Sequence, residues 1–120
     1  MAPCVICKVK TLYHVTPWKN IGPIRKLGLL PKTMKRGIFA RDPKEPRIYF
    51  FTDRETAEDA MANWLLDEHP ESRYFGVVEV VLPDRAPIVQ DAELAGAVYL
   101  REPVPKGFIT RIEKIDVGTE

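Results

Sequence analysis

A histidine and a threonine one residue apart close the first apolar run of the chain, Leu12-Tyr13-His14-Val15-Thr16-Pro17. An imidazole followed so closely by a hydroxyl at a strand end can act as a polar clamp aimed at a ligand. The same residues also read as an ordinary strand end followed by a helix start, because threonine is a favoured N-cap and proline a favoured first helical residue. A second stretch with chemical potential is basic and proline-rich, PKTMKRGIFARDPKEPR at 31–47. Beside a pocket it would touch phosphates; otherwise it is a solvated connector. The third is Cys4-Val5-Ile6-Cys7. Zinc held by four ligands needs a second pair, and the sequence has no further cysteine. The CxxC therefore reads as two small thiols in a reducing compartment, with no metal expected.

The bulk numbers set limits on the rest. With 120 residues and 45% hydrophobic content, the chain suits one domain over 1–120 with a real core. Lysine plus arginine number 18 and aspartate plus glutamate 17, a formal net charge of +1. No global field draws such a protein toward nucleic acid or an acidic membrane, and only a local basic patch could do so. No apolar run has the length to span a bilayer, and the opening MAPCVICKVK has its lysines after the apolar residues rather than before them. A cytoplasmic protein with no membrane partner is expected.

The elements that must position these residues follow from pattern. Val9 to Val15 is β-branched and aromatic enough for a strand. Pro23 would break a long helix begun at Thr16-Pro17, so the helix is expected to start near Asn20 or Gly22. Ile21, Ile24 and Leu27 give it one buried face, and Gly28 sits at its C-terminal cap. A short strand is placed at Gly37 to Ala40 and a dense one at Ile48 to Phe51. Thr52-Asp53-Arg54-Glu55 reads as a capping box. The helix after it buries Ala57, Ala60, Met61, Trp64 and Leu65, wets Glu55, Glu58, Asp59 and Asn63, and ends at His69-Pro70. Strands are expected at Tyr74 to Leu82, Ala86 to Val89, Ala97 to Leu100 and Phe108 to Val117, with one helical turn in 91–96. Helices early and strands late make this an α+β domain.

Three stretches in order resemble the ADP-ribosyltransferase fold. They are similar to the tRNA 2′-phosphotransferases and to the diphtheria-toxin-like transferases, which include the poly(ADP-ribose) polymerases. The first is Leu12-Tyr13-His14-Val15-Thr16 with Ile24-Arg25-Lys26-Leu27-Gly28-Leu29. The second is Arg47-Ile48-Tyr49-Phe50-Phe51-Thr52 with Thr56-Ala57. The third is Gly96-Ala97-Val98-Tyr99-Leu100 with Pro103-Val104-Pro105 and Ile109. The resemblance implies a compact fold of two small antiparallel sheets and two main helices. It implies NAD+ as substrate, nicotinamide as leaving group and a macromolecular acceptor: protein, nucleic acid or a 2′-phosphate. His14 would donate a hydrogen bond to the adenosine-side ribose, Thr16 would help fix that end, and Tyr49 would stack on the nicotinamide, with Phe51 beside it. The bland readings remain: His14 as a packed strand histidine, Thr16 as a cap only, Tyr49 as plain core.

The pattern departs from the family at one place. Where the His-Tyr-Glu transferases carry a glutamate that grips the ribose, this chain has Gly96 and Ala97. Glu93, Glu102 and Glu79 are the carboxylates to consider, with Glu93 the expected catalytic partner of Tyr49. The phosphotransferases lack that glutamate and use arginines. Arg73 echoes one of them, and Lys35, Arg36, Arg41 and Arg47 could supply others. An NAD+-dependent transferase is thus the expected function. A weak or inactive module binding NAD+ or ADP-ribose is the alternative, and a small interaction protein of the same fold stands behind both.

Overall fold

The computed structural model describes residues 9–31, 46–62, 73–91 and 96–116. Strand β1, Val9–Pro17, leads through a 3-10 turn at Trp18–Asn20 into helix α1, Ile21–Leu27. Strand β2, Ile48–Phe51, is followed by helix α2, Arg54–Ala60. Then come β3, Tyr74–Pro83; β4, Val89–Gln90; β5, Ala97–Leu100; a 3-10 turn at Lys106–Phe108; and β6, Ile109–Asp116. Among the described residues the strands form one antiparallel sheet in the order β4-β5-β2-β1-β3-β6.

The α+β class stands, with one sheet in place of the two expected. Two three-stranded halves, β1-β3-β6 and β2-β5-β4, meet at the single register pair Tyr13↔Phe51. By contrast β1 and β3 are paired along their whole length, from Val9↔Pro83 to Pro17↔Phe75. The two sheets are implied by the family resemblance; here β1 borders both β2 and β3 and joins the halves into one.

Both faces of the sheet are covered. Leu12, Ile48, Phe50, Val78, Val80, Val98 and Leu100 pack under Ile21 and Ile24 of α1. Tyr49, Phe51, Phe75, Val77, Ala97 and Tyr99 pack under Ala57 and Ala60 of α2 and Met61 at its C-cap. A strand with two buried faces needs no polar alternation, which is why Ile-Tyr-Phe-Phe and Ala-Val-Tyr-Leu are apolar throughout.

The helix ends are set by specific contacts. Gly28 closes α1 with a positive φ of 83°, its N–H donating to the Ile24 carbonyl. The adjacent pairing of Leu29 with Val104 brings another backbone so close that a Cβ at Gly28 would lie 2.3 Å from the Val104 oxygen. Thr16 does not cap α1. The long β1–β3 ladder holds it in the strand, where its hydroxyl accepts from Asn20 Nδ2 at 2.9 Å. Nor does Thr52 cap α2. Asp53, in an extended conformation, accepts from Thr56 N–H at 2.7 Å, while the Thr52 hydroxyl donates to the Gly96 carbonyl. The backbone hydrogen bond from Thr56 holds the Asp53 carboxyl below its ordinary range.

The remaining boundaries shift slightly. α1 begins at Ile21, β3 runs on to Pro83, and the strand expected at Ala86 to Val89 is Val89–Gln90. β5 lies where it was expected, and the last strand begins at Ile109, after the 3-10 turn that takes Phe108. The strand at Gly37 to Ala40, the turn in 91–96 apart from its end residues, Trp64, Leu65, His69, Cys4 and Cys7 fall outside the described residues.

Candidate functional site

The site is built where the two halves of the sheet part. Beyond Tyr13↔Phe51 the next residue of β1 is His14, and its side chain reaches across to β2. His14 Nδ1 lies 2.8 Å from the main-chain oxygen of Tyr49. A carbonyl only accepts, so Nδ1 carries the proton and donates. In the neutral ring that leaves Nε2 as an acceptor. An imidazole thus meets a main-chain group of β2 that an ordinary sheet ladder would satisfy with an N–H. The ring also meets Phe50 edge-on, with centroids 5.9 Å apart.

Strand alternation separates the two side chains. His14 shares its face with Leu12 and Thr16, the α1 side. The Tyr49 ring turns to the α2 side, 8% exposed, beside Phe51 at 4%. So His14 meets the main chain of Tyr49 while the Tyr49 ring lies on the other face, and Phe51 is packed within the core. Thr16, 8% exposed, follows His14 on the same face and is joined to Asn20.

On the α2 side Tyr49 belongs to a second cluster that pattern reading missed. Tyr49 and Tyr99 are register partners, their rings tilted at 52° with centroids 5.5 Å apart. Arg47 donates to the Tyr49 hydroxyl at 2.9 Å and places its guanidinium 4.0 Å from the Tyr99 ring centre. Arg101 donates to the Tyr99 hydroxyl at 3.2 Å, its guanidinium 5.2 Å from the same ring. The signal was available: Arg47-x-Tyr49 and Tyr99-x-Arg101 are mirror images at period two, and antiparallel pairing lays one against the other. Two guanidiniums gathered on one phenol suit phosphate oxygens, because each offers a planar fork of donors.

The carboxylates are distributed as follows. Gly96 has a φ of 82°, and a Cβ there would meet the Thr56 methyl at 3.1 Å; Ala97 is fully buried. Glu79 lies across β1 from Phe51, opposite Tyr13, and accepts from the Thr110 hydroxyl at 2.7 Å. Glu102 is exposed in the bend after β5. Glu93, Lys35, Arg36 and Arg41 fall outside the described residues. Arg73 sits at the far end of β3, bonded through two nitrogens to Asp116, which raises its pKa further. Among the described residues no three histidine, cysteine or acidic side chains are grouped to hold a metal. No helix there is long and apolar enough to cross a membrane.

Comparison with protein-family models, with curated proteins and with solved structures finds no match to the chain.

Proposed function

We propose that this chain is an NAD+-dependent ADP-ribosyltransferase-type enzyme. In that reaction the bond between nicotinamide and ribose C1″ breaks, and its electron pair leaves with nicotinamide. An acceptor oxygen or nitrogen then bonds to C1″ and gives up its proton. The observation that carries the reading is the His14–Tyr49 contact at the parting of the half-sheets. It holds an imidazole beside the β2 main chain through Nδ1, and Nε2 of the neutral ring is the nitrogen this reading assigns to a ribose hydroxyl. The expected donation from His14 to ribose is thereby reversed, since the Nδ1 proton is committed to Tyr49. Arg47 and Arg101, gathered on Tyr99, lie on the α2 side of the sheet, the face opposite His14, and take no part in this reading. The macromolecular acceptor belongs to the same proposal, as does cytoplasmic location.

A second reading has its own observation. Gly96, at positive φ and against Thr56, and the fully buried Ala97 put no carboxylate at the two positions where the His-Tyr-Glu transferases carry theirs. A site without that group would bind NAD+ or ADP-ribose and turn it over poorly. Loss of one well-aimed charged contact costs about 10²–10³ in rate.

Release of nicotinamide from NAD+, followed chromatographically, separates the two. Release above the protein-free blank, lost in His14→Ala, supports the enzyme. Saturable NAD+ binding without release supports the module. Neither binding nor release removes both.

A further inference from the structure

A row of cations and aromatic rings runs over the α1 side of the sheet, at the end of β3 and β6. Trp18 lies over β3 at Gly76, where a Cβ would come 3.3 Å from its ring. Lys114, the register partner of Gly76, places its ammonium 5.2 Å from the Trp18 ring centre and 4.3 Å from that of Tyr74. The Arg25 guanidinium of α1 stands 5.6 Å from the Trp18 ring centre, and that of Arg73 stands 5.3 Å from the Tyr74 ring centre. The order is Arg25, Trp18, Lys114, Tyr74, Arg73. Tyr74 is 37% exposed, and Arg25, Lys114 and Arg73 are all exposed. Asp116 is bound into the end of the row by Arg73.

The row concentrates positive charge on a chain whose net charge is only +1. Cations alone would suit any polyanion. Rings between them select further, because a single nucleic-acid strand alternates flat bases with phosphates. An acidic peptide does not set a plane beside every charge as a nucleic-acid strand does, and a duplex keeps its bases stacked away from Trp18 and Tyr74.

We infer that the Arg25–Trp18–Lys114–Tyr74–Arg73 row is a docking surface for single-stranded nucleic acid. Phosphates take Arg25 and Lys114, Arg73 stays with Asp116 at the end of the row, and a base stacks on Tyr74 as Lys114 turns from the ring to a phosphate. The surface binds without NAD+, so its test is independent of the proposed reaction.

Fluorescence anisotropy of a labelled mixed-sequence 12-nucleotide strand, titrated with the full chain at low salt, reads this directly. The expected result is saturable binding, with affinity falling as salt rises at a log–log slope of about −1.4, about −0.7 for each of two cations. Tyr74→Ala and Lys114→Glu each weaken binding about ten-fold. Lys10→Glu makes the same charge change at the other end of β3 and leaves binding unchanged. Unaltered circular dichroism of the variants shows that they fold. No binding, equal binding of a duplex of the same length, equal loss in Lys10→Glu, or binding to anionic vesicles but not to the strand would each overturn the inference.

Discussion

His14 and Tyr49 are joined across the parting of the sheet through one side chain and one main-chain oxygen, 2.8 Å apart. The imidazole does the work of a backbone N–H, and the two half-sheets are held at that point by a side chain. The nitrogen that makes this bond and the one proposed for a ribose hydroxyl are different atoms, so they can be tested separately. His14→Ala removes both and leaves the Tyr49 carbonyl short of a donor, which costs about 1 kcal/mol of stability. His14→Asn keeps an N–H at the position of Nδ1 and drops Nε2. Thermal melting is expected to place the Asn variant near the parent and the Ala variant several degrees below it.

Arg47 braces the Tyr49–Tyr99 pair from the α2 side of the sheet, the face opposite His14. Arg47→Ala should therefore lower stability by about 1 kcal/mol and leave NAD+ affinity unchanged. Thermal melting and calorimetric titration make the comparison. Weaker NAD+ binding at unchanged melting temperature would place Arg47 in the site.

Gly28 is conformationally committed. Its φ of 83° and the 2.3 Å approach of the Val104 oxygen to any Cβ leave alanine no relaxed position. Gly28→Ala should destabilise the fold by about 1–3 kcal/mol or more, read by urea unfolding. Gly107, with open space around its Cβ position, is the control.

Asp53 gives the α2 end its acid dependence. Its carboxyl is held below its ordinary value of 3.8 by the Thr56 N–H, so the charged form is the stabilising one. The contribution is complete above that ordinary value and is lost as pH falls through the lowered one. Asp53→Ala should melt below the parent at neutral pH, with the gap closing at the acid end. Asp53→Asn, still a capping residue, should remain close to the parent at neutral pH.

What could be read from the sequence was local. Gly28 as a helix cap and the bounds of β5 follow from residue type and flanking breakers, and the structure keeps them. Thr16 and Thr52 show the limit. Each has the residue type of an N-cap, and each is diverted by a strand partner distant in sequence: β3 holds Thr16 in β1, and Gly96 takes the Thr52 hydroxyl. The side-chain candidates show it too. His14 and Tyr49 were legible as residues, but the face each presents depends on the register at Tyr13↔Phe51. Tyr99 and Arg101 became visible only when β5 was laid against β2.

Calorimetric titration of NAD+ into the parent chain and into His14→Asn tests the central claim. The account predicts saturable one-to-one binding by the parent and at least about ten-fold weaker binding by the variant at unchanged melting temperature. No saturable binding by the parent, or equal affinity in the two proteins, would contradict it.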